Sequence, residues 1–153
     1  MMLVEETTVP QSVLPVAQFK DHMRLGSGFS DDGFQDGVLE SYLRAAMAAI
    51  EARTGKILIE RTFSWTLTAW RDARQQPLPV APVSAISDVT LVAMNGDETI
   101  PAVDSWYLEP DMQRPSLKAS GAVLPVVPIN GSARIGMLAG FGPEWADLPA
   151  DLA

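Results

Sequence analysis

The stretch VLESYLRAAMAAIEARTGKILIERTFSWTL, Val38 to Leu67, carries two incompatible periods, and the change falls at Thr54-Gly55. Leu39, Leu43, Ala46 and Ile50 recur at helical spacing, with Tyr42 and Ala49 widening the stripe and Glu40, Arg44, Glu51 and Arg53 on other faces. From Ile57 the period is two: Ile57, Ile59, Phe63, Trp65 and Leu67 alternate with Glu60, Thr62, Ser64, Thr66 and Thr68. The chain must therefore join a long helix to a half-buried antiparallel strand with almost no linker. Gly55 supplies the left-handed residue that ends the helix, and Arg53 and Lys56 complement its negative end. The many alanines let a neighbouring element come close, which is a packing feature first and an inter-subunit feature only where that face stays exposed.

The remaining segments fall into order around this corner. Residues 1 to 13 are polar and β-branched without helical period and read as a loose arm. LPVAQFKDHMRL places Val16, Phe19 and Met23 on one face, with Pro15 suited to the first turn of a short helix. GSGFSDDGFQDG, Gly26 to Gly37, is a glycine and aspartate linker in which Asp36 stands nearest as an N-cap. QQPLPVAPVSAI is punctuated by Pro77, Pro79 and Pro82 and should run extended along an edge or over the surface. DVTLVAMNGDETI reads as a hairpin turning at Asn95-Gly96, where both positions tolerate positive φ. WYLEP, SLKA, AVLPVV and ARIGMLAGF supply further short strands. In EWADLPADLA, Asp147 can cap and Pro149 suits an early helical position. The expected class is α+β in a single domain: helical over 14–56, β-rich over 57–142, with the start of a C-terminal helix over 143–153.

Charge and residue usage exclude several functions. Acidic residues outnumber basic ones by 19 to 11, a formal charge of −8, which disfavours non-specific attraction to DNA or an anionic membrane. Arg71 and Arg74 come nearest to a basic patch, with Asp72 between them. No apolar run reaches the length of a membrane span, and Glu5 and Glu6 stand where a signal peptide would carry Lys or Arg. With no cysteine, disulfides, thiolate metal sites and a Cys nucleophile are all excluded.

No chemistry-bearing motif is complete. His22 is the one histidine, beside Asp21 on a helix, with nothing to tie it to a serine. DDGFQDG puts Asp32, Asp36 and Gly37 at calcium-loop positions one, five and six, but Phe34 and Leu43 occupy positions that require oxygen ligands. GSGFSD has Gly26 and Gly28 without the preceding strand or the GK[ST] of a phosphate cradle. Glu109 and Asp111 flank Pro110 and suit a turn better than a glycosidase pair. No catalytic residue, cofactor site or metal site is expected. The aromatic residues are more informative: Trp65 belongs with the core-facing set, whereas Trp70, Trp106 and Trp145 are candidates for contact with a partner.

Taken in order, LPVAQFKDHMRL, the acidic linker, VLESYLRAAMAAIEARTGKILI, TFSWTL, PLPVAPVSAI, the hairpin around NGDET, SWYLEP, and ARIGMLAGFG followed by LPADL resemble the head-tail connector (adaptor) proteins of long-tailed bacteriophages and gene transfer agents. The resemblance covers about residues 14 to 152 and lies in the order and spacing of the pieces. It implies a small N-terminal helical bundle of two main helices with a β-rich antiparallel extension. It implies copies of the chain forming a ring, expected to be twelve-fold, between the portal and a stopper or tail-completion protein. The ring would extend a channel through which DNA passes without specific binding, in the neck of a virion or phage-like particle assembled in the bacterial cytoplasm. The family usually continues past the LPADL-like segment with an apolar C-terminal helix, so the resemblance also implies a shortened form ending at Ala153. The alternative from a different class is a small hydrolase or ligand-binding domain using carboxylate or Ser groups in a cleft between helices and sheet.

Overall fold

The computed structural model of the chain describes residues 1–23 and 34–153. Two helices precede most of the strands: α1 spans Val16–His22 and α2 spans Phe34–Thr54. The strands are β1 (Met2–Glu5), β2 (Arg61–Leu67), β3 (Gln75–Pro77), β4 (Val83–Val92), β5 (Glu98–Thr99), β6 (Trp106–Glu109), β7 (Ser116–Ala119) and β8 (Ser132–Ala139). They form two antiparallel sheets, a five-stranded one in the order β1-β2-β8-β4-β5 and a three-stranded one in the order β3-β7-β6. The class is α+β, with α1 packed on α2.

The corner at Thr54-Gly55 is built as the residues require. Gly55 adopts φ 68°, a left-handed conformation that glycine enters without a Cβ penalty, and its N–H donates to the Glu51 carbonyl at 2.9 Å. The Thr54 hydroxyl donates to the Ile50 carbonyl at 2.8 Å and accepts the Lys56 N–H at 3.1 Å. The chain is thus pinned on both sides of the stop. The helix itself begins at Phe34, earlier than the expected linker end, so Asp36 is not the N-cap: it lies in the first turn and pairs with Lys20 of α1. The Gly26–Asp31 glycine motif and Asp32 lie outside the described residues.

The face that α2 buries keeps Leu39, Leu43 and Ile50 of the expected stripe and departs from it at Ala46, Tyr42 and Ala49. Leu39 and Met47 are buried and Leu43 and Ile50 half-buried, whereas Tyr42, Ala46 and Ala49 are exposed. An alanine contributes little area, so the stripe follows the larger side chains, and Met47 takes the inward position expected of Ala46. Val38, Tyr42, Ala45 and Ala49, at spacings of four, three and four, then form an outward apolar face.

The strand reading of 57–67 divides in two. Regular pairing begins at Arg61, and residues 61, 63, 65 and 67 are buried in strict alternation. Ile57, Leu58 and Ile59 before it are all buried, because they run between two cores. Ile57 joins the larger core with Phe63, Trp65, Ile135 and Met137, while Leu58 and Ile59 join a smaller one with Val9, Leu14, Met47 and Leu148 beneath α2. The arm expected to be loose holds β1, paired with β2 from Met2↔Thr66 to Glu5↔Phe63. Next in register, Glu6 N–H donates to Thr62 O at 2.8 Å. Antiparallel alternation then aims the backbone groups of Met2 and Val4 at β2 and those of Leu3 and Glu5 outward.

Other boundaries shift for local reasons. VSAI is not peripheral, because it opens β4, which pairs along its length with β8. The hairpin turns at Asn95-Gly96, but only Gly96 uses positive φ, at 90°. AVLPVV forms no strand; Pro125 and Pro128 lack the donors a ladder needs, and residues 121–131 run as a loop. At the far end, Trp145–Asp147 is a 3-10 turn in which the Asp147 carboxylate accepts the Glu144 N–H at 2.9 Å. Pro149 then opens a single helical turn, its carbonyl accepting the N–H groups of Leu152 and Ala153 at 2.9 and 3.1 Å.

Candidate functional site

Among the described residues, the titratable groups singled out from the sequence do not converge. His22 ends α1 with an exposed side chain. Glu109 and Asp111 go separate ways: Glu109 pairs with Lys118 at 2.7 Å, while Asp111 accepts the N–H groups of Gln113 and Arg114 at 2.6 and 2.7 Å. Those two backbone donors, first Arg114 and then Gln113, hold the Asp111 carboxyl below its ordinary value, helped by the charges of Lys56 and Arg114. A carboxylate held low is a turn-former, since a general acid at neutral pH requires the opposite shift. Among the described residues no group of acidic and histidine side chains is arranged to hold a metal, and no helix is long and apolar enough to cross a membrane.

The ion pairs serve the fold. Arg61, buried in β2, reaches Glu51 of α2 at 2.7 Å, and the other Glu51 oxygen accepts the Leu58 N–H at 2.9 Å. Glu5 of β1 stands 3.6 Å from the same guanidinium. One arginine therefore ties helix, central sheet and edge strand together.

Surface character, rather than a catalytic cluster, distinguishes the molecule. A mixed groove of about 710 Å³ lies by the three-stranded sheet, lined by Arg71, Asp72, Gln75, Gln113 and Arg114 among others. A second groove, of about 480 Å³, is lined mostly by apolar residues; Trp70, Ala73, Val123, Val126 and Ile129 are among them, with Thr68 and Asn130 as polar members. Val126 is 77% exposed and Ile129 91%. The loop is nonetheless firmly held: Trp70 Nε1 donates to the Pro125 carbonyl at 2.7 Å, and Leu124 N–H donates to Ala73 O at 2.7 Å. Gly131 passes so close to β4 that a Cβ there would lie 2.3 Å from the Val92 carbonyl oxygen.

The three tryptophans singled out from the sequence are not brought together. Trp70 and Trp106 pack against the larger core and Trp145 against the smaller one, each half-buried. The Trp106 indole N–H is buried without an acceptor among the described residues. Of the three, Trp70 lines the apolar groove. A strand reading of AVLPVV hides Val123 and Val126, and a helix stripe that counts Tyr42 as inward hides its exposure.

No protein-family model and no curated protein matches the chain. Solved structures do. A chain in the neck of an empty gene transfer agent particle, computed with C6 symmetry, is 53% identical, with a TM-score of 0.92 over 99% of this chain and 77% of that one. A chain from the virion of the native particle is likewise 53% identical, with a TM-score of 0.90 over 99% and 77%. One from the native neck computed with C12 symmetry is 48% identical, with a TM-score of 0.85 over 99% and 76%. At this identity, over nearly every residue from the N-terminal strand to the last turn, the chain belongs to the head-tail connector (adaptor) family of gene transfer agent particles.

Proposed function

We propose that this chain is a structural, non-enzymatic neck protein whose copies form a ring, twelve-fold, between the portal and a stopper or tail-completion protein. The observation that carries the reading is the match of 99% of the chain to neck components solved with C6 and C12 symmetry. A cyclic ring needs two different faces on each subunit, and a domain with helices packed on one core and a small sheet on another offers them. The charge of −8 suits a channel wall, because it repels phosphates and so avoids the salt-dependent adhesion that a basic lumen would produce. DNA then passes without specific binding. Assembly takes place in the bacterial cytoplasm, and the product resides in the particle neck.

Electron microscopy of the chain mixed with purified portal tests this directly. The expected image is a dodecameric layer added to the portal. A chain that stays monomeric and leaves the portal bare overturns the reading. The hydrolase alternative draws no support from Glu51, Glu109 and Asp111, which are engaged in ion pairs and a turn.

A further inference from the structure

We infer that the Trp70 groove is the seat of a second copy of this chain, which inserts the outer face of its α2 with Tyr42 leading. The inference rests on the ring reading and specifies which two surfaces of the subunit meet.

The groove has the properties of a prepared docking site. Its lining, Trp70, Ala73, Val123, Val126 and Ile129 with Thr68 and Asn130, contains no charged side chain. Its loop carries two prolines and is tied to the body through the Trp70 indole, the Leu124 N–H and the close passage of Gly131 against β4. Binding to a pre-ordered surface forfeits little conformational entropy. A rigid scaffold that holds Val126 and Ile129 in water is otherwise a standing cost, and exposed apolar patches of this kind mark interaction surfaces.

Electrostatics and symmetry select the occupant. Two copies of a chain with charge −8 repel each other, so contact between them is least costly where carboxylates are absent. Most other exposed apolar residues fail that condition. Met2 to Val4 run into Glu5 and Glu6, Met94 and Ile100 flank Asp97 and Glu98, Val103 adjoins Asp104, and Met112 adjoins Asp111. The outer face of α2, Val38, Tyr42, Ala45 and Ala49, carries none. Groove against groove would be a two-fold contact that cannot build a cyclic ring, whereas groove against helix is head-to-tail and repeats. The two surfaces belong to different cores, so one subunit can use both at once.

Shape agrees with this pairing. Ala45 and Ala49 let the helix axis approach closely, and Tyr42, 63% exposed, is the largest of the described side chains on the face. An apolar groove takes a helix through such spaced anchors. A tyrosine entering it buries its ring and still needs a partner for its hydroxyl; Thr68 and Asn130 are the lining residues able to supply one.

The test uses rings assembled by the chain on purified portal and counted by electron microscopy. Tyr42→Glu and Ile129→Glu should each weaken assembly by about 30-fold or more, with unchanged melting temperatures because both positions are exposed. The chain has no cysteine, so a chain bearing Tyr42→Cys and one bearing Ile129→Cys can be joined specifically by a short bismaleimide. The mixture should give the crosslinked dimer, and a chain carrying both changes should give a ladder of higher multimers. Wild-type rings whose glutamate variants assemble normally overturn the inference and leave the ring reading standing. Crosslinking confined to two chains of the same single variant overturns it as well, by showing a two-fold contact. Failure of the wild-type chain to form rings removes the ring reading itself.

Discussion

Arg61 and Asp111 show how single side chains set local stability here. Arg61 is buried against Glu51 with a 2.7 Å contact, and Glu51 also accepts the Leu58 N–H. Removing one member of a buried pair strands the other charge. Arg61→Ala should therefore cost about 3 kcal/mol in urea denaturation, more than any substitution at the exposed Arg53. Asp111 acts on a smaller scale. Its carboxyl is held below the ordinary aspartate value by the Arg114 and Gln113 N–H groups, so its charged form is favoured in the folded turn. The contribution is present above the unfolded value and is lost as pH falls through the lowered folded one. An NMR titration of the Asp111 side-chain carbonyl should show a midpoint below that of the unfolded chain, and the amide shifts of Gln113 and Arg114 should move with it.

At the scale of elements, the edge strand gives a sharp contrast between neighbours. Val4 directs its N–H at β2 and Leu3 directs its N–H away, as the register and the Glu6–Thr62 bond require. Val4→Pro should destabilise the fold by about 1 kcal/mol more than Leu3→Pro, since only the first removes a ladder donor. Thermal or denaturant unfolding of the two variants decides it. The elements that were legible in the sequence are those whose signal is local: the long helix, its Gly55 stop, the alternation from Phe63 to Leu67, and the Asn95-Gly96 turn. Those that were not depend on what packs opposite. The inward position of Met47 is set by the Val9, Leu14 and Leu58 core, and the pairing of Met2–Glu5 is set by a strand far later in the chain. The candidate site divides the same way. Trp70 stands among the partner-contact candidates of the sequence, whereas a strand reading of AVLPVV conceals Val126, which Pro125 and Pro128 keep in a loop.

For the whole molecule, the excess of acidic over basic residues governs association. Copies approaching one another must overcome mutual repulsion, which added salt screens over a Debye length of about 10 Å at 0.1 M and about 3 Å at 1 M. Assembly of the proposed ring should therefore strengthen as salt rises, in contrast to DNA binding, which weakens. Light scattering of the chain on portal across a salt series reads the sign. A decline in assembly with salt would show that charged contacts, rather than apolar ones, hold the copies together.

The position of β8 in the sheet has a consequence for synthesis. β2 and β4 each pair with β8 and not with each other. A ribosome therefore releases both flanking strands long before the one that joins them, and β1 and β2 alone make only a two-stranded ribbon. Folding of the larger core must wait until residues 132–139 have emerged. An interrupted translation product would lack the central strand and leave Phe63, Trp65 and Val89 without the β8 side chains that cover them.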